Sequence, residues 1–263
     1  MLSTGQNIVL IILTVTLAVT LLVLLRKLWP PALRREHNDL VGWQIGVLGT
    51  TYAVIVGFML WNVWSNFQSA EVNAELEATS LVNVYRLSQG LSPAEAAEVQ
   101  KLARKYADAM LDDEWPAMSK QNFSSAGFEI TQQLWAVMVQ AQARQAREPL
   151  SLSQALAELA NMTQHRRIRQ LQSRSSLPTI LWFILIVGGV ITIGSSCLFA
   201  TENFRLHFIL VFALSLMVSL VLVAIADIDR PFQGSVHVNP DAFRLARETF
   251  QRQVQTQRID LND

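Results

Sequence analysis

The sequence predicts an all-α polytopic membrane protein, with four transmembrane helices in two hairpins and a helical extramembrane domain between spans two and three. Three observations predict this class. The chain of 263 residues is 51% hydrophobic and only 16% charged, whereas soluble domains carry about a quarter charged residues. Four apolar segments are each long enough to cross a bilayer, which takes roughly 20 residues. The segment between the second and third of them shows no period-two alternation, so no β-sheet is expected.

The four apolar segments are residues 8–25, 41–67, 178–200 and 208–226, and none of them contains Asp, Glu, Lys or Arg. The first could be mistaken for a signal peptide. However, no Lys or Arg precedes it, and Arg26 and Lys27 follow it directly, as in a stop-transfer flank. It is therefore expected to be a retained helix. Pro30 and Pro31 predict that no helix runs through the first hairpin turn.

The region between the hairpins is expected to be helical throughout. Ser92, Pro93 and Glu95 form a capping-box pattern with proline at the first helical position, which predicts a helix starting at Pro93. The Glu-Trp-Pro sequence at 114–116 is expected to end that helix. Apolar stripes predict further helices over 130–141 and 152–171. Residues 66–87 contain no helix breaker, so the second spanning helix is expected to continue through them without a kink.

After the fourth span, Asn239 and Pro240 open one more helix with an apolar face formed by Phe243, Ala246, Phe250 and Val254. That face is expected to pack on the helical domain or on a neighbouring subunit. The predicted domains are a first transmembrane hairpin, a helical extramembrane domain, a second transmembrane hairpin, and a C-terminal turn with an amphipathic helix, at 1–67, 68–177, 178–228 and 229–263.

Composition and motifs argue against several functions. The lone Cys197 excludes an internal disulfide and a cysteine-based zinc site. The four histidines lack zinc-ligand spacing, and no phosphate-binding, dinucleotide-binding or nucleophile-elbow motif occurs. We therefore predict a protein that is not an enzyme and takes no cofactor. A formal net charge of zero gives no support for nucleic-acid binding. The spans lack ionisable residues, which argues against a proton-relay carrier but not against a channel.

The second span carries small residues on one face. Gly46, Thr50, Ala53 and Gly57 follow at i, i+4, i+7 and i+11. Two interpretations are open: the small residues let two helices approach closely, or they line a pore in an oligomer. The candidate pore-lining set also includes Val56 and Phe58. Two further side chains, Tyr52 and Trp61, could join Val56 and Phe58 in a hydrophobic constriction. In the third span, Gly188, Gly189 and Gly194 favour close helix packing.

Charged residues cluster just beyond two of the spans. Glu71, Glu75 and Glu77 follow the second span, and Glu71 and Glu75 lie one helical turn apart. These glutamates either pair with the arginines before the third span or form a charged ring at a vestibule. Asp227, Asp229 and Arg230 end the fourth span abruptly because carboxylates are costly in hydrocarbon. They form either a membrane-exit turn with internally satisfied charges or a fixed contact with the helical domain.

Five segments together resemble the bestrophin-like family of bacterial membrane proteins, and the resemblance covers about residues 42–243. In chain order they are GTTYAVIVGFMLWNVW, EATSLVNVYR, YADAMLDDEWPAM, LPTILWFILIVGGVITIGSS and DRPFQGSVHVNPDAF. The combination of EWPAM and DRPFQG in this order is fairly specific, whereas either sequence alone would be a weak indication.

The family name points to bestrophins, which are pentameric anion channels with four spans, cytosolic termini, a helical cytosolic region and a pore lined by span two. The resemblance therefore implies a homo-oligomeric ion channel, with anions among the candidate permeant ions, in a bacterial inner membrane with termini and helical domain cytoplasmic. Near-membrane Lys and Arg number five on each side, so orientation depends on the resemblance. The alternative is a non-conducting membrane scaffold or sensor whose helical domain binds a partner.

Overall fold

A computed structural model describes residues 4–122, 124–144 and 150–260, and all regular structure within these residues is helical. The all-helical prediction is confirmed. The helices, in chain order, are α1 Thr4–Leu28, α2 Pro31–Arg34, α3 Asn38–Leu87, α4 Pro93–Ala109, α5 Trp115–Ser119, α6 Ala126–Arg144, α7 Leu150–Gln172, α8 Thr179–Leu198, α9 Phe204–Ile228 and α10 Asp241–Asp260.

Within the described residues, four helical stretches are long and apolar enough to cross a membrane: Gly5–Leu28, Pro31–Gly90, Thr179–Leu198 and Phe204–Ile228. The second of them includes α3, a single helix of 50 residues. The predicted four spans, and the uninterrupted continuation of the second span, are therefore confirmed.

The chain forms two compact units. The first comprises the residues up to Asn66, Ser176–Asp229 and Gly234–Val236, and is called the spanning unit below. The second comprises Phe67–Ser175, Arg230–Gln233 and the residues from His237 onward, and is called the insert unit. The helix α3 contributes residues to both, and the chain enters the insert unit again directly after α9.

Apolar side chains from all four spans form the core of the spanning unit. Ala18 and Leu22 of α1 pack with Cys197 of α8 and Val211 and Val218 of α9. A second cluster joins α3 to α8 and α9 through Val63, Leu177, Leu185 and Ile225. The first hairpin turn is not wholly non-helical as predicted, because Pro31 starts the short helix α2, where a missing N–H has no cost.

In the insert unit, α4 packs against α6 and α10, and α6 packs against α7. The predicted apolar face of α10 is buried here through Phe243, Ala246 and Phe250. Phe250 stacks on Tyr85 with ring centroids 4.4 Å apart. The C-terminal helix therefore belongs to the core of this unit.

Two local predictions for α4 need correction. The helix starts at Pro93 after the N-cap Ser92, but the Ser92 hydroxyl bonds the Glu95 carboxylate at 2.6 Å instead of a backbone N–H. Nor does the chain stop being helical at the Glu-Trp-Pro sequence. A π-helical turn, Met110–Glu114, leads directly into α5, where Pro116 lies in the first turn and needs no intrahelical hydrogen bond.

Candidate functional site

The α3 helix buries one face in the spanning unit. Tyr52 and Val63 are buried, while Ile55, Val56 and Met59 are partly buried and pack on the apolar clusters between the spans. Their spacing follows the 3.6-residue period of a single helical face. This face attaches α3 to the other spans, and it fixes which side of the helix is left uncovered.

Tyr52 is the most specific contact on the buried face. Its hydroxyl donates a hydrogen bond to the Leu185 carbonyl oxygen at 3.0 Å. Its ring lies against Gly188 and Gly189: a Cβ atom at Gly188 would lie 2.6 Å from Tyr52 Cδ2. At Gly194, no described atom lies within 4 Å of the equivalent position. Two of the three glycines of α8 therefore serve close packing, as expected, and the third does not.

The small residues of α3 lie on the opposite, uncovered side. Gly46, Thr50, Ala53 and Gly57 are all exposed, and at 100° per residue they occupy an arc of about 60° on the helix. No described atom lies within 4 Å of a Cβ built at Gly46 or Gly57. We call these four residues the small-residue stripe. Among the helices that the structure describes, none packs against it at the two glycines.

The other two candidate pore residues do not share this stripe. Val56 is partly buried against the apolar clusters, whereas the Phe58 side chain is 65% exposed. Two residues apart on a helix, they point about 160° away from each other. Tyr52 faces the core, and Trp61 is exposed next to Phe58. The structure therefore separates the proposed constriction into a core-facing pair and an exposed pair.

Glu71 and Glu75 lie in the insert unit, and both are exposed on α3. Glu75 lines an open groove of about 500 Å³ between α3 and α10, together with Arg86 and Asp241. The glutamate of α3 that pairs with arginine is instead Glu77, which is fully buried.

The acidic residues at the end of the fourth span form bonds within the spanning unit. Asp227 accepts hydrogen bonds from the Asn7 side chain at 3.1 Å and from the Ser235 hydroxyl at 2.6 Å. Asp229 accepts one from the Leu177 backbone N–H at 2.7 Å, just before α8 begins. These carboxylates therefore connect the ends of three spans.

Arg230, the third charged residue at the end of the fourth span, belongs to the insert unit. Its guanidinium lies 3.5 Å from the Gln233 side-chain oxygen. The turn that follows contains Gly234, whose φ of 85° favours glycine.

Sequence reasoning missed the polar contacts at the opposite end of the spans. Arg34 is buried and donates to the Cys197 and Leu198 carbonyl oxygens at 3.0 and 3.2 Å, which satisfies the C-terminal end of α8. Arg26 donates to the carbonyls of Thr201 and Glu202. The connection between α8 and α9 is therefore held by side chains of the first hairpin.

The expected pairing between α3 glutamates and the arginines before the third span occurs at Glu77, within a buried charged centre of the insert unit whose other members the sequence did not indicate. The guanidinium of Arg169, with no exposed surface, donates to both carboxylate oxygens of Glu77, at 2.7 and 3.0 Å, and to Glu114 at 2.8 Å. Arg166 donates to the other oxygen of Glu114. The Tyr106 hydroxyl donates to Glu77 at 2.6 Å. We call these five residues the Arg169 centre.

The electrostatics of this centre stabilise the charge of Arg169. Burial opposes the charge of Arg169, but the carboxylates of Glu77 and Glu114 outweigh it, so that the pKa of Arg169 is raised. Burial and the neighbouring Glu77 charge raise the pKa of Tyr106, which keeps its proton available to Glu77. Two arginines face two glutamates, so the buried charges balance.

The two most specific family-like sequences meet beside this centre. The Arg169 guanidinium lies 5.1 Å from the ring centroid of Trp115, in the EWPAM sequence. Trp115 packs edge-on against Phe232 of the DRPFQG sequence and against Phe243, and its indole N–H donates to the Val238 carbonyl at 3.0 Å. This contact explains why the fourth span is followed by so specific a sequence.

Among the described residues, no group of three or more His, Cys, Asp or Glu side chains is arranged to hold a metal ion. Fold and site therefore define an integral membrane protein with four candidate spans and a helical insert between spans two and three.

Comparison with known families and structures identifies the class further. A family model for the bestrophin-like domain matches residues 12–243, most of the chain, and the chain belongs to this family. No curated protein matches the chain. A bacterial bestrophin homolog from Klebsiella pneumoniae has the same fold, with 12% sequence identity and a TM-score of 0.67; the match covers 92% of this chain and 96% of that one. A point variant of that homolog gives a TM-score of 0.69 over the same shares.

Proposed function

We propose that the chain is one subunit of a homo-oligomeric ion channel in a bacterial inner membrane, and that the small-residue stripe of α3 lines its pore. The termini and the insert unit are placed in the cytoplasm by analogy with bestrophins, and anions are among the candidate permeant ions. One observation carries the proposal: in a chain of this family, the membrane part of α3 packs on the other spans through the face of Tyr52 and Val63, and no described atom lies beside Gly46 or Gly57 on the small-residue face.

Small residues on a spanning helix ordinarily permit a neighbouring helix to approach closely. Gly188 of α8 has this role, because the Tyr52 ring of α3 occupies the space beside it. Among the described residues, nothing occupies that space at Gly46 or Gly57. Lipid, another copy of the chain or a water-filled path would lie beside the stripe in the membrane, and an oligomer arranged around α3 provides the last two.

The insert unit supports association through the same helix. Val72 and Leu76 are 52% and 44% exposed on α3, one turn apart. Large apolar side chains exposed together on a helix mark an interaction surface. Glu71 and Glu75, also exposed, remain candidates for a ring of carboxylates contributed by several copies.

The chemistry of the spans fits conduction without proton coupling. Their sequences contain no Asp, Glu, Lys or Arg in the apolar segments. A pore lined by small and apolar groups can conduct when wetted and close by dewetting. Phe58 and Trp61 are exposed with Val54 on the neighbouring face of α3, at spacings of four and seven residues, and are not part of the small-residue stripe.

The experiment is current measurement in planar bilayers containing purified protein, under asymmetric salt. Ala53→Leu adds bulk within the stripe, and Val54→Leu adds one methylene on the neighbouring exposed face as the matched control. We expect discrete channels in the wild type, several-fold lower conductance for Ala53→Leu, and unchanged conductance for Val54→Leu. The reversal potential then identifies the permeant ion.

Two results would overturn the proposal. Folded, oligomeric wild-type protein that conducts no ion would favour the scaffold or sensor function, and the partner of the insert unit would become the question. Conductance that responds to Val54→Leu but not to Ala53→Leu would place the pore on another face of α3.

A further inference from the structure

The Arg169 centre joins three segments that are distant in sequence. Glu77 comes from α3, Glu114 from the π-helical turn, and Arg166 and Arg169 from α7. The side chains of Glu77 and Arg169 have no exposed surface, and those of Glu114 and Arg166 are 4% and 6% exposed. All the charged groups of this centre are therefore shielded from water within the insert unit.

The π-helical turn places Glu114 in this centre. In a continuous α-helix, nine residues make two and a half turns, so Trp115 would lie opposite to Tyr106. Yet both side chains are buried in the same unit. A π turn takes up an additional residue, here with Asp112 and Asp113 exposed on its outer side. Glu114 and Trp115 thus remain on the inward face.

Gly127 provides the space for Glu114. A Cβ atom at position 127, in the first turn of α6, would overlap the Glu114 carboxylate and the Met110 methyl group. The sulfur atoms of Met110 and Met118 lie 3.1 and 3.2 Å from the Arg169 nitrogens. The π-helical turn, Gly127 and the flexible side chains of Met110 and Met118 therefore together accommodate the Arg169 guanidinium and its partner Glu114.

Three glutamates of α3 could in principle bind Arg169, depending on how the helix is rotated about its axis. Glu71, Glu75 and Glu77 lie within two turns of one another, but only Glu77 is buried. A helix rotation of about 160° would exchange Glu77 for Glu75. Apolar packing also favours the observed rotation, weakly through the small side chains of Ala70 and Ala74 and more strongly through the larger ones of Phe67, Leu81 and Tyr85. A guanidinium that binds both oxygens of one carboxylate discriminates strongly among rotations of α3, because both hydrogen bonds depend on where that carboxylate lies.

We propose that Arg169 is a positioning residue for α3: by binding Glu77 and Glu114 together, it fixes the rotation of α3 within the insert unit. Replacing a buried ion pair by apolar groups often leaves stability unchanged, and in some proteins the unique arrangement of the elements is lost with the pair. The proposal therefore predicts a variant that is as stable as the wild type but less uniquely ordered. It does not require that the protein conducts ions.

The test is a spin-label distance measurement within the insert unit. Cysteines replace the exposed Glu75 on α3 and Gln132 on α6, in a Cys197→Ala background, and labelled chains are diluted with unlabelled ones. Glu77→Leu with Arg169→Met and Tyr106→Phe removes one buried pair together with the hydroxyl that donates to Glu77, and leaves the Glu114–Arg166 pair balanced. As a matched control, Glu98→Leu with Lys101→Met removes an exposed pair of α4.

We expect one narrow distance distribution in the wild type and in the control, and a distribution at least twice as broad, or bimodal, in the Glu77/Tyr106/Arg169 variant at an unchanged melting temperature. An unchanged narrow distribution in that variant would overturn the proposal, because packing alone would then fix α3. If this variant does not fold, Arg169→Lys is measured instead, because lysine keeps the positive charge but lacks the planar guanidinium that binds both carboxylate oxygens. A narrow distance distribution in Arg169→Lys would likewise overturn the proposal.

Discussion

Gly188→Ala should destabilise the spanning unit, because the ring of Tyr52 occupies the space beside this glycine. The added Cβ would lie 2.6 and 2.8 Å from Tyr52 Cδ2 and Cε2, well inside van der Waals contact. Overpacking of this kind costs about 1–3 kcal/mol. Gly194→Ala in the same helix meets open space. Both changes gain the same helix propensity, about 1 kcal/mol, so the difference between the two variants isolates the clash.

The assay is the melting temperature of each purified variant in detergent. Since 1 kcal/mol shifts the melting temperature by about 2–4 °C for a protein of this size, Gly188→Ala should melt about 2–12 °C below Gly194→Ala. In a Tyr52→Ala background the difference should vanish, as a double-mutant cycle requires for a direct contact. Equal melting temperatures for the two glycine variants would refute the inward orientation of Tyr52, and with it the outward orientation of the small-residue stripe.

Three further predictions concern contacts described above. Gly127→Ala should lower the melting temperature by several degrees because its Cβ would overlap the Glu114 carboxylate; no change would show that the centre adapts freely. Asp229→Ala should cost about 1–3 kcal/mol, since the N–H of Leu177 loses its acceptor, and a melting temperature equal to that of the wild type would argue against this bond. Leu76→Asp should reduce the mass of the assembly in light scattering, whereas an unchanged mass would exclude this part of α3 from the subunit contact.

The spans were predictable because transfer of apolar residues into hydrocarbon dominates every other term in those segments. Four uncharged runs gave four helices. The continuation of α3 beyond the membrane was also predictable, because residues 66–87 contain neither Pro nor Gly. The burial of Phe243, Ala246 and Phe250 followed from their spacing on α10.

Pairing between α3 glutamates and the arginines before the third span was one of two interpretations of the sequence, but the burial of Glu77 and Arg169 and the contribution of Glu114 were not predicted, because these partners are 92 and 55 residues apart in sequence. Local periodicity carries no information on such pairings. One signal was nevertheless present: Ala70, Ala74, Glu77 and Leu81 follow at helical spacing, and a glutamate within an otherwise apolar stripe requires a buried cation.

The π-helical turn could not be predicted either, since Pro116 is ordinarily a sign that a helix ends. Proline is tolerated here because it falls within the first turn of α5. The placement of Val56 in the core and of Phe58 on the surface depends on which face of α3 meets the other spans. That choice is made by tertiary contacts such as the one between Tyr52 and Gly188.

The central claim is that the small-residue stripe of α3 lines an aqueous pore. It is tested most directly by cysteine accessibility in planar bilayers, with Cys197 replaced by alanine. Ala53→Cys lies on the stripe, and Ile55→Cys lies among the apolar side chains that join α3 to the other spans. We predict that a charged, water-soluble thiol reagent blocks the current through Ala53→Cys and leaves Ile55→Cys unaffected. Block at Ile55→Cys, or an unaffected current through Ala53→Cys, would contradict the account.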